Sequence, residues 1–179
     1  MKELKTIENL SIVKLTDKDF EDAYEVFKIT IPYAFGLCDL EEDEETKAMI
    51  NEKKSLLKQS IRNNEPMFFI AKYDNKVIGT ISFGPCSEDI KRCTNNDIGD
   101  LGEIGSLFIL PEYQNKGVGS ILINYLIMYL KKQGISEFCL DSGYKKAQPK
   151  WIRKFGKPYV IVKDYWAPGV DNMVWKCRI

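Results

Sequence analysis

The sequence of 179 residues contains no histidine. That absence removes both the commonest general base and the commonest transition-metal ligand. Acid–base chemistry therefore falls to carboxylates, tyrosine, lysine, cysteine or water. Net charge is also missing, since 26 basic residues balance 26 acidic ones. A bulk electrostatic binder of nucleic acid or of a membrane surface carries a basic excess, so neither partner is expected. No apolar run reaches the ~20 residues of a membrane span. The first residues, Met1-Lys2-Glu3-Leu4-Lys5, hold no apolar signal core, and a cytoplasmic location is expected. The cysteines, Cys38, Cys86, Cys93, Cys139 and Cys177, are odd in number and form no C-x-x-C pair. Free thiols are expected, with neither a disulfide framework nor a metal site. Cys86 and Cys93 flank a polar stretch and are close enough in sequence to meet. No repeat, linker or low-complexity tract divides the chain, so one domain over residues 1–179 is expected.

What is present alternates between helical and extended patterns. Leu10 to Leu15 reads as a first strand. Thr16-Asp17 offers a helix cap, and Phe20, Ala23, Tyr24 and Phe27 lie on one helical face. That helix is expected to end before Pro32. Tyr33 and Phe35 follow in a loop, as packing or as a pocket wall. Asp39 to Glu45 holds six carboxylates in seven positions. They cap the next helix, Glu44 to Arg62, or line the mouth of a site for a cationic substrate. Met67–Tyr73 and Val77–Phe83 form a hairpin about Asp74-Asn75-Lys76. Ser87 to Asp97 reads as a polar loop, and Gly102 to Leu110 as a strand. Val118 to Leu130 is apolar nearly all round, which predicts a helix packed deep against the sheet. Ile135–Leu140 is a strand, and Gln148–Phe155 is a short helix closed by Gly156. Tyr159–Lys163 and Met173–Cys177 are terminal strands, with Trp166 to Gly169 in the turn region between them. Trp151, Tyr165, Trp166 and Trp175 are expected mostly in the core, with Tyr165 and Trp166 also placed to face an acceptor.

The fold class expected is α/β (α+β). It is a single mixed, mostly antiparallel twisted sheet of about seven strands with about four helices. The strand–helix–strand unit from Leu107 to Leu140 has the spacing of a right-handed crossover, so its two strands are expected to be parallel.

The chemistry concentrates where that helix begins. Leu107-Phe108-Ile109-Leu110 is followed by Pro111-Glu112-Tyr113, and then by Gln114-Asn115-Lys116-Gly117-Val118-Gly119-Ser120. A helix starting on glycines offers unpaired N–H groups and the positive end of its dipole, which suits a phosphate or pyrophosphate. Three glycine loops compete for this reading. The nucleotide-hydrolase loop needs a lysine between its last glycine and Ser/Thr, and here Ser120 follows Gly119 directly. The dinucleotide fingerprint needs a third glycine where Leu122 stands. The pattern Q/R-x-x-G-x-G/A fits Gln114 to Gly119 throughout.

The segment from Glu103 to Gly119 closely resembles the acetyl-CoA-binding motif of the GNAT acetyltransferase superfamily, and the order of elements along the chain is similar to that family's. The resemblance implies an acyltransferase, an acetyl-CoA-dependent N-acetyltransferase. It would transfer acetyl to a primary amine of a small molecule or peptide by direct attack through a tetrahedral oxyanion. It implies that the backbone of Leu107, Phe108 and Ile109 pairs with the pantetheine arm. The pyrophosphate would be held by Gln114, Asn115, Lys116, Gly117, Val118, Gly119 and Ser120. The central parallel strands would splay around the thioester, and a backbone N–H of the motif strand would stabilise the oxyanion. A monomer or a homodimer is compatible with it. Acetyl-CoA enters as cosubstrate, with no metal. A non-catalytic CoA-binding sensor or partner module of the same fold is the alternative.

An alkylammonium, with a pKa of about 10, must lose a proton before it attacks. Glu103 stands where some members of the family carry a catalytic glutamate. It is either that base or a strand-end carboxylate in solvent. By simple alternation it shares a face with Gly105, Leu107 and Ile109, a parity that a bulge would shift. The tyrosine that family members often carry in the last helix, as acid for the departing thiolate, aligns here with Ile152. Tyr144 and Tyr159 are the substitutes, and Tyr144 is the candidate acid beside Glu103. The Glu41–Glu45 acids lean toward a cationic acceptor.

Overall fold

The computed structural model describes residues 9–35 and 44–179. Its strands are β1 (Leu10–Lys14), β2 (Met67–Tyr73), β3 (Lys76–Pro85), β4 (Gly102–Ile109), β5 (Glu137–Ser142), β6 (Val160–Ala167) and β7 (Val170–Arg178). Its helices are α1 (Phe20–Phe35), α2 (Glu44–Asn63), α3 (Glu88–Cys93), α4 (Val118–Lys132) and α5 (Gln148–Phe155). The strands form one mixed seven-stranded sheet in the order β1-β2-β3-β4-β5-β7-β6. The expected parallel pair is present, with Glu103 of β4 registered on Cys139 of β5.

The chain divides into two compact units. One comprises Met1–Ser82 and Ser106–Leu126. Here β1 pairs antiparallel with β2, from Leu10↔Tyr73 to Lys14↔Phe69. The β2–β3 hairpin turns on Asp74 and Asn75 at φ 46° and 64°, the two left-handed residues that suit the strand twist. The apolar face of α1 supplies Ala23, Val26, Phe27 and Ile31, all buried, to a core shared with Ile50 and Leu57 of α2 and Phe68 and Ile70 of β2. Phe27 stands edge-on to Phe68 and to Phe108, with ring centroids 6.4 and 5.4 Å apart. Lys72 donates to Asp19 at 2.7 Å, and Thr16 donates to the same carboxylate at 2.6 Å.

The other unit comprises Phe83–Gly105 and Ile127–Ile179. There β5 pairs antiparallel with β7 from Glu137↔Arg178 to Ser142↔Met173, and β7 pairs with β6. The register of that last pair shifts between Val162 and Ala167, where Asp164 takes φ 52°. Cys86, Ile90, Cys93, Ile98, Cys139 and Val174 make the core under α3. On α5, Phe155 packs edge-on to Phe138 at 5.6 Å and stacks on Trp151. Trp175, 1% exposed, donates to the Gly156 carbonyl at 2.9 Å.

Several expectations need correcting. Helix α1 continues through Pro32. Proline gives up one intrahelical bond, but it lies in the last turn, where fully buried Ile31 holds the chain against the core. The polar stretch after β3 contains α3, capped by the Ser87 hydroxyl, which accepts from the Ile90 N–H. Helix α4 is not buried all round. Val118, Leu122, Ile123, Leu126 and Leu130 form its buried stripe, while Met128 is 60% exposed. Trp166 is exposed on β6 rather than in the core. The terminal strands are longer than expected and turn at Pro168-Gly169. The acidic run lies outside the described residues except for Glu44 and Glu45, which open α2. Cys38 and the side chain of Phe35 also lie outside them.

Candidate functional site

The first unit carries the glycine loop. Strand β4 leaves its extended course at Ser106, where φ is 48°. A left-handed residue within a strand interrupts the regular alternation of faces, as a bulge does. Thr80 of β3 donates to the Ser106 carbonyl at 2.8 Å and holds the irregularity in place. Leu107, Phe108 and Ile109 follow, half-buried. A 3-10 turn, Pro111–Tyr113, then directs the chain to α4.

The Gln114 side chain folds back and donates to the Ile109 carbonyl at 2.9 Å, while its backbone N–H bonds the Pro111 carbonyl at 3.2 Å. Gln114 therefore fastens the loop to the strand. Asn115 and Gly117 take left-handed φ of 59° and 93°. A side chain at Gly117 would meet nothing within 4 Å, so glycine is needed there for its φ and not for space. The first turn-to-turn bond of α4 runs from the Ile121 N–H to the Gly117 carbonyl at 3.0 Å. The N–H groups of Val118, Gly119 and Ser120 come before it and point forward, as at any helix start. The first turn of α4 has no acidic residue. Lys116 stands beside it, exposed, with Nζ 5.5 Å from the centre of the Tyr113 ring. A cavity of about 340 Å³ opens here, lined by Leu10, Tyr73, Ile78, Glu112, Tyr113, Lys116 and Val118.

The donor set fits a diphosphate: three forward amides, the helix dipole and a flexible ammonium, with no carboxylate in the turn to compete. Gly79 of β3 adds a packing requirement. A Cβ there would lie 2.5 Å from Ile109 Cδ1 and 3.0 Å from the Phe108 carbonyl oxygen, so β3 approaches the motif strand only because that residue is glycine.

The second unit carries Glu103 and Tyr144. Glu103 is half-buried, and its Oε2 accepts the Ser87 N–H at 2.7 Å. It is therefore not a carboxylate left to solvent. Across the β4–β5 register lies Cys139, whose Sγ is 3.8 Å from Cys86 Sγ and donates to the Gly102 carbonyl at 3.5 Å. Cys86 thus meets Cys139 rather than Cys93, and all four described cysteines are free thiols. Burial, reinforced by Cys86 and the nearby Glu103 and Asp141 carboxylates, pushes the Cys139 thiol far above its ordinary range. Burial also raises Cys86.

Tyr144, half-buried, lies just after β5, and its carbonyl accepts the N–H groups of Ala147 and Gln148 at 2.9 and 3.1 Å. Tyr159, half exposed, donates to Asp97, and that bond raises its pKa. Tyr165 is pushed up to about 12 by burial and by its 2.7 Å bond to Asp89. Both phenols are thus held in their protonated form. Trp166 lies over Gly143, where a Cβ would be 2.4 Å from its Nε1.

Residues 21–156 match the sequence model described as the Acetyltransferase (GNAT) family. The chain belongs to the GNAT family. It is an acyltransferase of the N-acetyltransferase class. It is 32% identical over 116 residues to the uncharacterized N-acetyltransferase CT2212 of Chlorobaculum tepidum, covering 61% of this chain and 68% of the relative. Among solved structures it resembles the PaiA N-acetyltransferase of Thermoplasma acidophilum in complex with coenzyme A, with a TM-score of 0.67 and 22% identity, covering 94% and 99% of the two chains. It also resembles the ribosomal-protein-S18-alanine N-acetyltransferase of Escherichia coli, with a TM-score of 0.63, 17% identity and coverage of 95% and 94%. Those likenesses establish a GNAT fold. Among the described residues no cluster of three or more acidic or thiol groups is arranged to hold a metal ion, and no helix is long and apolar enough to cross a membrane.

Sequence reading missed Ser87 and the wall of the cavity. The segment Ser87-Glu88-Asp89, followed after Ile90 by Lys91-Arg92, is a helix-start and helix-end signature in miniature. Its six residues are too few to show an apolar period. Tyr73 and Ile78 reach the loop through sheet pairing, which leaves no local signal.

Proposed function

We propose that this GNAT enzyme transfers acetyl from acetyl-CoA to a primary amine of a small molecule or peptide, in the cytoplasm and as a monomer or homodimer. The observation that carries the reading is the start of α4, with its left-handed loop, its three forward amides and no acidic residue in its first turn. The N–H groups of Val118, Gly119 and Ser120, with Lys116 and Asn115 beside them, hold the diphosphate. The backbone of Leu107 to Ile109, set by Gln114 and Gly79, takes the pantetheine arm. Glu103 accepts the proton that the acceptor ammonium must lose, and Tyr144 is the donor to the departing thiolate.

In the balanced reaction the amine nitrogen bonds the acetyl carbon, the carbon–sulfur bond breaks, and one proton from nitrogen ends on the thiol. Glu44 and Glu45, exposed at the start of α2, favour a cationic acceptor. The test is the pH–rate profile of Glu103→Gln. The base role predicts a variant at least tenfold slower near neutrality that recovers as pH approaches the pKa of the free amine. A profile identical to that of the unmodified enzyme removes Glu103 from the chemistry.

A further inference from the structure

We propose that Ser87 is a positioning residue for Glu103, acting through its main-chain N–H. The proposal rests on the reading of Glu103 as the base and deepens it.

The bond is 2.7 Å long, short for N–H to oxygen and typical of a charge-assisted one. Ser87 is held so that its N–H has little freedom. It is the N-cap of α3 at φ −69° and ψ 157°. Its hydroxyl accepts from the Ile90 N–H at 3.4 Å, and its carbonyl accepts from the Lys91 N–H at 3.1 Å. The helix is fixed in turn. Ile90 is fully buried, Thr94 donates to the Ile90 carbonyl at 2.8 Å, Tyr165 donates to Asp89 at 2.7 Å, and Asn172 donates to Cys93 Sγ at 3.5 Å. The other end of the bond is equally constrained, because Glu103 is registered on Cys139 within the sheet. A rigid amide thus meets a carboxylate on a rigid strand.

Two consequences follow for a base. Its oxygen is held in one place, and its ionised form is preferred, because an N–H bond to a carboxylate favours the charged state. Cys139, Lys91 and Asp141 gather with Glu103 around Cys86. Cys86 and Cys139 are kept protonated by burial. The Asp141 carboxylate, of the same sign as Glu103, accepts from Asn172 Nδ2 at 2.8 Å. Lys91 of α3 is paired with Glu88 at 2.8 Å.

The test removes one hydrogen atom. Ser87→Pro deletes the N–H at a φ that proline already adopts. Ser87→Ala keeps the N–H and loses only the hydroxyl cap, and so serves as the matched control. The acid limb of kcat/KM is expected to stay in place in Ser87→Ala. In Ser87→Pro it moves up by about one pH unit, roughly a tenfold extra loss on the acid side. Glu103→Gln abolishes the limb. Superposable profiles for Ser87→Pro and Ser87→Ala, with the limb lost in Glu103→Gln, overturn the positioning role and leave the base intact. An unchanged limb in Glu103→Gln overturns the base, and the proposal with it.

Should Ser87→Pro misfold, the ester-linked variant, with oxygen in place of the residue-87 N–H, takes its place and is read in the same way. A readout independent of turnover is the Ser87 amide resonance. It is expected to shift downfield as Glu103 ionises and to lose that titration in Glu103→Gln. An amide that does not titrate in the unmodified protein overturns the proposal.

Discussion

Placing a carboxylate in the first turn of α4 separates binding from folding by opposite signs. Gly119 is the second residue of the helix, and a Cβ there would have Ile109 Cγ1 as its nearest neighbour, at 3.9 Å, an ordinary contact. Gly119→Asp is therefore tolerated sterically. It adds negative charge to a helix start that has none, worth about 0.3–1 kcal/mol in favour of the fold. For a bound diphosphate the same charge is repulsive. At about 5 Å, with an effective dielectric near 20, each unit charge costs roughly 3 kcal/mol. Salt and partial exposure reduce this to about 1.5–3 kcal/mol, roughly ten- to a hundredfold in Kd. Calorimetric titration with CoA and a thermal melt of the free protein read the two effects. The expected result is weaker CoA binding with an equal or higher Tm. A Kd within twofold of the unmodified protein refutes the cradle. Weaker binding with a lower Tm shows only that the loop was damaged.

Other outcomes follow from the same structure. Gly79→Ala forces Ile109 Cδ1 and the Phe108 carbonyl away from the new methyl, and a loss of about 1–3 kcal/mol in urea unfolding is expected; unchanged stability contradicts that close approach. Asp19 is lowered on balance. Burial raises its pKa, but the bonds from Lys72 and Thr16 outweigh burial. A carboxylate lowered in the fold stabilises above its unfolded pKa near 4 and loses that contribution as pH falls through the folded value. Asp19→Asn is therefore expected to cost about 1.5–3 kcal/mol at pH 7 and progressively less as pH falls through the lowered folded value; a pH-independent difference contradicts the linkage. Burial pushes Cys177 up to about 11 and Cys139 higher still. Both are expected to resist iodoacetamide in the native protein at pH 8 and to react on unfolding. Rapid native alkylation of Cys139, read by peptide mass, would show that its pocket is open.

The parts legible in sequence are those whose signal is local. The glycine loop from Gln114 to Gly119 carries its chemistry in consecutive residues, and the structure gives it the left-handed turns that Asn115 and Gly117 permit. The Asp74-Asn75 hairpin and the α1 face through Ala23 and Phe27 are local in the same sense. What escaped depends on distant partners or competing forces. Pro32 is a helix breaker by its chemistry, yet the burial of Ile31 keeps α1 intact. The apolar run of α4 exposes Met128 because only one stripe of a helix meets a sheet. The link from Ser87 to Glu103 spans sixteen residues, and that from Cys86 to Cys139 fifty-three. Neither has a spacing rule. Ser106 at positive φ is invisible because serine carries no mark of that conformation.

The most direct measurement of the central claim follows the acetyl group. The protein is incubated with acetyl-labelled acetyl-CoA and a panel of polyamines, aminoglycosides, amino acids and basic peptides. Free thiol and labelled amine are then quantified together. Acetyl transfer predicts thiol and acetylated amine in equal amounts for at least one cationic acceptor. Tight CoA binding with no labelled amine anywhere in the panel, or thiol released without it, contradicts the claim.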